Sequence, residues 1–250
     1  MNRRILTRGL KGSLLLVLIA SGWVVYQEIV RTFVFDPTVW EPEIAAFERA
    51  DRENTPPEDA ILFVGSSSIR FWNELASDMA PMVVLRRGFG GAKLSDLVHF
   101  ADRIILPYSL RAIVIHAGGN ELTESPGNAR RTPAEALADF RILIGLIRSR
   151  HPDIPIYYLA LRPSLLPGAR DELMTLIQAE SASTEGLEFL DAGAGLALAS
   201  GAPNPDLIRW DFIHLNRRGY EAWAPVVRER LFRDLGAGAR TDGGRRIPAL

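Results

Sequence analysis

A three-layer α/β sandwich around one five-stranded parallel sheet is the fold this sequence predicts, and three observations predict it. Five short apolar runs recur along the chain, and stretches of helical character separate them. The runs are nearly continuous rather than alternating, as strands buried on both faces require. Strand and helix in alternation imply right-handed crossovers, which cover a single parallel sheet on both sides.

The elements follow in order. Asp36 to Pro42 reads as a tether, and Glu43 to Arg52 as a first amphipathic helix that can turn Ile44, Ala45 and Phe47 inward. The first strand is Ile61 to Val64, entered from Pro56-Pro57 and ended by Gly65. Met82 to Leu85, Ala112 to His116, Ile156 to Ala160 and Leu187 to Leu190 supply the other four. Helices are expected over Ser68 to Met79, Leu94 to Ile105, Pro133 to Arg150, Arg170 to Ser183 and Arg217 to Leu235. The folded domain therefore spans residues 43–235, and the Gly- and Arg-rich tail 236–250 reads as disordered.

Composition narrows the function. Lys+Arg number 29 against 30 Asp+Glu, for a net charge of −1, so no overall field draws the chain to nucleic acid. With no cysteine, disulfides, thiolate metal sites and a Cys nucleophile are excluded. The first 35 residues carry an export-type pattern: Arg3, Arg4, Arg8 and Lys11 precede an apolar run from Leu14 to Val25, broken only by Ser21 and Gly22. A membrane-spanning helix needs roughly 20 apolar residues, a length this run reaches only by taking in Gln27 and Glu28. An uncleaved membrane anchor is the preferred reading, with the folded domain beyond the membrane, periplasmic or at the cell surface. A signal cleaved near Ala20-Ser21-Gly22 and an N-terminal helix packed on a cytoplasmic domain are the alternatives.

In a parallel sheet of this kind ligands sit beyond the carboxyl ends of the strands, so chemistry is sought just after each one. The first strand leads into Gly65-Ser66-Ser67-Ser68-Ile69-Arg70-Phe71-Trp72, which places a serine at the sheet edge and at a helix N-terminus. Those serines can equally be helix caps. After the second strand, Gly88, Gly90 and Gly91 allow backbone amides to approach a ligand, or serve a turn that needs positive φ. After the third, Asn120 offers a carboxamide to the same edge, or bonds its own turn. Asp211-Phe212-Ile213-His214 sets a carboxylate three residues before an imidazole, close enough to accept from Nδ1 and fix the tautomer of a general base. His99, His116 and His151 lack such a partner and read as structural or solvated.

These four segments, in this order and spacing, resemble the conserved blocks of the SGNH hydrolase superfamily, the GDSL-like esterases and lipases. The resemblance runs from Glu43 to about Leu235. The first-block serine falls on Ser67, with Ser66 where the family usually has Asp. The second-block glycine falls on Gly91 and the third-block Asn on Asn120, followed here by Glu121; the Asp-x-x-His block falls on Asp211 and His214. Arg86 stands where relatives often carry Asn. The resemblance implies the same sandwich, of flavodoxin-like form, and a serine esterase that needs no metal or organic cofactor.

Together the two lines of reasoning make Ser67, His214 and Asp211 the catalytic triad. The amides of Ser67 and Gly91 and the side chain of Asn120 form the oxyanion hole. A nucleophile, a base, its orienting acid and two further donors, at the ends of different elements, would rarely coincide by chance. The expected substrate is an acyl ester of an envelope glycan, a lipid or a small molecule. Trp72, Phe89, Leu165 and Leu166 are candidates to meet an acyl chain, and Arg162 and Arg209 a phosphate or sugar. Acyl transfer to a hydroxyl through the same acyl-enzyme, and a non-catalytic carbohydrate-binding domain on this fold, are the alternatives.

Overall fold

The computed structural model describes residues 34–123, 130–163, 168–236, 241–242 and 245–246. The expected membrane segment 1–35 lies almost wholly outside these residues; among those described, no helix is long and apolar enough to cross a membrane.

Five parallel strands form one sheet: β1 (Ala60–Gly65), β2 (Val84–Gly88), β3 (Leu110–His116), β4 (Ile156–Leu159) and β5 (Leu187–Leu190), in the order β2-β1-β3-β4-β5. The α/β sandwich expected from the sequence is therefore the fold. Longer helices cover it: α1 (Glu41–Glu53), α4 (Leu94–Ile104), α5 (Pro133–Arg150), α6 (Ala169–Ser183) and α7 (Arg217–Leu235). Side-chain alternation along β1 divides the core. Leu62 and Val64 join Trp40, Ile44, Phe100, Phe140 and Ile177 on one face. Ile61 and Phe63 join Trp72, Trp223, Val227 and Leu231 on the other. With both faces buried, β1 reads in sequence as one unbroken apolar run.

Several elements depart from expectation, beginning with the stretch 36–42 expected as a tether, which is a 3-10 helix (Pro37–Trp40) that buries Trp40 and runs into α1. The single helix predicted over Ser68 to Met79 is two one-turn helices, α2 (Ser67–Arg70) and α3 (Leu75–Asp78). The break lets Trp72 turn fully inward, where it stacks on Tyr220 and Trp223 at centroid distances of 5.4 and 5.3 Å and donates its Nε1–H to Asp78 Oδ2 at 2.8 Å. Burial of one indole outweighs the helix propensity of the surrounding residues. The second strand lies later than the apolar run suggested and includes Arg86 and Arg87, because β2 is an edge strand whose side chains can leave the sheet. Arg87 is nonetheless buried, held by the Tyr108 hydroxyl and by Asp51. In the tail, Thr241–Asp242 and Arg245–Arg246 pair as a two-residue antiparallel ladder where no regular structure was expected.

The strand order fixes where a ligand belongs. The chain steps from β1 to β2 on one side and returns to β3 on the other, so the connections leaving β1 and β3 diverge and open a crevice at their carboxyl ends. Ser67 follows β1, and Asn120 follows β3.

Candidate active site

Gly65 ends β1 with φ +151, and a Cβ there would overlap the backbone of His116 on the neighbouring strand. The small residue lets the chain turn sharply into α2. Ser66 donates its N–H to His116 O at 3.0 Å, and its carbonyl accepts from Ile69 and Arg70. Ser66 and Ser68 are buried; Ser67, between them, is partly exposed. The turn thus singles out one of three consecutive serines. Because α2 is a single turn, the charge stabilisation expected from a full helix dipole is reduced here to the local amides.

Ser67 Oγ lies 2.9 Å from His214 Nε2, and His214 Nδ1 lies 2.9 Å from Asp211 Oδ2. The structure brings together three residues that the sequence separates by up to 147 positions. Asp211 also organises its own loop: Oδ1 accepts the N–H of Ile213 at 2.9 Å and of His214 at 2.8 Å. One carboxylate therefore shapes the turn with one oxygen and orients the imidazole with the other. The Phe71 ring meets the imidazole edge-on at 4.8 Å. Burial holds the His214 imidazole below its ordinary titration range; Asp211 opposes this, while the charges of Arg162 and Arg209 add to it. Asp211 stays ionised, its carboxyl below the usual range: the hydrogen bonds from His214 and Ile213 overcome the effect of burial.

Asn120 donates from Nδ2 to Ala92 O at 3.0 Å, a bond that uses one of the two N–H groups of its carboxamide. This bond joins the loop after β3 to the loop after β2, which carries Gly91. A network the sequence did not reveal fixes that second loop. Lys93 N donates to Asp96 Oδ2 at 2.9 Å, and Leu94 N to Glu121 Oε1 at 2.9 Å. Lys93 and Glu121 are both fully buried, and burial pushes the Glu121 carboxyl up to about 7. The Lys93 ammonium lies 3.8 Å from Asp96 and donates to Val34 O at 2.9 Å. The only sequence signal was the charge following Asn120 and the lone Lys of the folded domain.

Gly88, Gly90 and Gly91 do not adopt positive φ, and at Gly88 and Gly90 close packing is what requires a glycine. A Cβ at Gly88 would overlap the backbone of α2, and one at Gly90 the ring of Trp40. Arg86, the departure from the family pattern, donates to Trp72 O at 2.7 Å and so ties β2 to the α2–α3 break.

Two of the residues considered for substrate contact are core residues instead. Trp72 and Phe89 are both fully buried, Trp72 in the aromatic stack described above and Phe89 against Trp40 and Phe100. Large aromatic rings beside an active-site motif found partners in the two core layers, which bury more of their area than a surface groove would. Arg162 does reach the site, donating to Ile213 O at 2.5 Å, and Arg209 lies over the Phe71 ring at 5.0 Å. Leu165 and Leu166 fall outside the described residues. His116 is structural: its Nδ1 lies 2.9 Å from Leu159 O, and burial pushes its pKa down to about 3.

A sequence model of the GDSL-like lipase/acylhydrolase family matches residues 63–222 of the chain. No curated protein matches it. Among solved structures, the chain is similar to a protein provisionally described as a platelet activating factor from Streptococcus pneumonia, at 16% identity and a TM-score of 0.67, covering 87% of this chain and 98% of that one. It is also similar to a GDSL-like lipase from Bacteroides thetaiotaomicron, at 16% identity and TM-score 0.63, covering 77% and 98%. A family 3 carbohydrate esterase from Clostridium thermocellum matches at 17% identity and TM-score 0.56, covering 72% and 98%.

Proposed function

The chain belongs to the GDSL-like lipase/acylhydrolase family, whose signature covers more than half of it, and is an ester-hydrolysing enzyme; on that premise we propose that Ser67, His214 and Asp211 carry the reaction through an acyl-enzyme. The observation that carries this reading is the unbroken chain from Ser67 Oγ through both ring nitrogens of His214 to Asp211. His214 accepts the Ser67 proton at Nε2 as Oγ attacks the ester carbonyl, and Asp211 steadies the imidazolium so formed. The oxyanion meets the amides of Ser67 and Gly91 and the second N–H of Asn120. His214 then returns its proton to the leaving alcohol. Water, activated by the same nitrogen, hydrolyses the acyl-enzyme and regenerates Ser67.

The His214 side chain is 20% exposed and that of Asp211 24%. Solvent therefore reaches the base, which supports water as the acyl acceptor. Acyl-ester assays with and without an added acceptor alcohol test this: free acid should be the product, and a transferred ester in its place would convert the assignment to a transferase.

Asn120→Ala should lower kcat by about 10²- to 10³-fold with KM little changed, the loss typical of one oxyanion donor. Steady-state kinetics on a chromogenic acyl ester reads this directly. A rise in KM with kcat intact would make Asn120 a substrate-binding residue and leave the oxyanion to the two backbone amides.

Four basic residues ahead of an apolar run support export of the catalytic domain, with the run retained as an anchor. A reporter fused after Leu250 should be active only outside the cytoplasm, and the protein should stay with membranes through a salt wash. Activity of both in the cytosol would reverse the placement.

A further inference from the structure

The catalytic loop carries an apolar crest that the reaction does not use. Trp210 and Phe212 are each 87% exposed and Ile213 61%, three large apolar side chains within four positions beside His214. Among the described residues the other exposed large apolar side chains stand singly in sequence, as on any protein surface. Phe212 adopts φ 61, a conformation that favours glycine and is costly for a bulky residue. Its N–H is held by Arg209 O at 3.0 Å, and Asp211 Oδ1 fixes the two amides that follow. The backbone is thus pinned while its apolar side chains point away from the core.

Two further observations say what this crest meets. Arg162 and Arg209 border it, Arg162 donating to the Ile213 carbonyl and Arg209 lying over the Phe71 ring, and among the described residues no ion pair joins either guanidinium to a carboxylate. The described chain begins at Val34, whose carbonyl binds Lys93, two residues beyond Gly91. Val25, the end of the apolar N-terminal run, stands nine positions earlier in sequence. Even fully extended, that connection spans only roughly 30 Å, so the run is tethered near the edge of the sheet that carries the site.

We propose that the Trp210-Phe212-Ile213 crest docks the catalytic edge onto the surface of a bilayer containing anionic phospholipid, with Arg162 and Arg209 facing the headgroups, so that the enzyme acts on esters held at that surface. Aromatic and aliphatic side chains enter the headgroup boundary while flanking arginines gain attraction to anionic lipid. This rests on the esterase reading of the same site and adds its substrate class, an ester presented by a membrane.

The test uses the full chain with Trp23→Phe, which leaves Trp210 and three fully buried tryptophans as emitters. Brominated phosphatidylcholine–phosphatidylglycerol vesicles should quench Trp210 fluorescence, and quenching should weaken with phosphatidylcholine alone. In a Trp210→Ser/Phe212→Ser variant, the ratio of the rate on a vesicle-embedded long-chain ester to the rate on a soluble acetyl ester should fall by about tenfold or more. An unquenched Trp210, or an unchanged rate ratio, would overturn the proposal. So would a wild-type dimer that the variant converts to monomer, since the crest would then cover a second copy. Quenching without hydrolysis of either ester would instead defeat the esterase reading and leave the docking surface standing.

Discussion

Ser67→Ala is expected to abolish labelling by an active-site phosphonate and to cut kcat by roughly 10⁴- to 10⁶-fold, the range seen when a serine nucleophile is removed. Without Oγ there is no acyl-enzyme, and the residual rate comes from water attacking a carbonyl still polarised by the oxyanion donors. Fold should be little affected, because Ser67 is partly exposed and among the described residues its side chain bonds only to His214. Ser66→Ala and Ser68→Ala make the comparison sharp. Both residues are buried, and among the described residues it is Ser67 whose hydroxyl meets the imidazole, so both variants should keep labelling. Labelling that persisted in Ser67→Ala and vanished in either neighbour would move the nucleophile.

The second large effect is the pH dependence set by His214. Only the neutral imidazole can take the Ser67 proton, so kcat/KM should rise with pH and be lost as His214 protonates. Burial disfavours the imidazolium and outweighs the help from Asp211, so the acid limb should fall below the ordinary imidazole value of about 6.5. Arg209→Gln removes one positive charge facing the ring and should move the limb upward. His214→Ala should erase the limb with most of the rate. Asp211→Asn can still accept the loop amides through Oδ1 while presenting an N–H to Nδ1. The imidazole is then driven to the tautomer that carries its proton on Nε2, and the rate should fall by about 10⁴-fold. A pH profile in Asp211→Asn matching the wild type in height and midpoint would remove Asp211 from the mechanism.

Much of this protein was legible in its sequence. Five apolar runs separated by helical stretches specify the sheet, because strands buried on both faces must be apolar throughout and parallel neighbours need long crossovers. Helices Pro133–Arg150 and Arg217–Leu235 begin and end at the residues their caps indicate, Thr132 and Asn216 accepting from the first turn in each case. Ser67, Gly91, Asn120, Asp211 and His214 could be singled out as candidates because each follows a strand or lies in a short motif, and local spacing is what a sequence displays.

What depends on partners distant in the chain could be decided only by the folded structure. Whether Trp72 and Phe89 face a ligand or the core turns on Tyr220, Trp223, Trp40 and Phe100, which lie up to 151 positions away. The break between α2 and α3 follows from that burial and not from the local residues. The buried Lys93, Asp96 and Glu121 that fix the second loop also look like ordinary surface charges in sequence, since burial is a property of the assembled layers. Phe212 and Trp210 show the converse: apolar by type, they remain exposed because hydrogen bonds to Asp211 and Arg209 hold the loop backbone in place. Periodicity and short-range spacing determined the fold and pointed to the candidate reacting groups, whereas long-range packing decided which side chains are buried and which are left exposed.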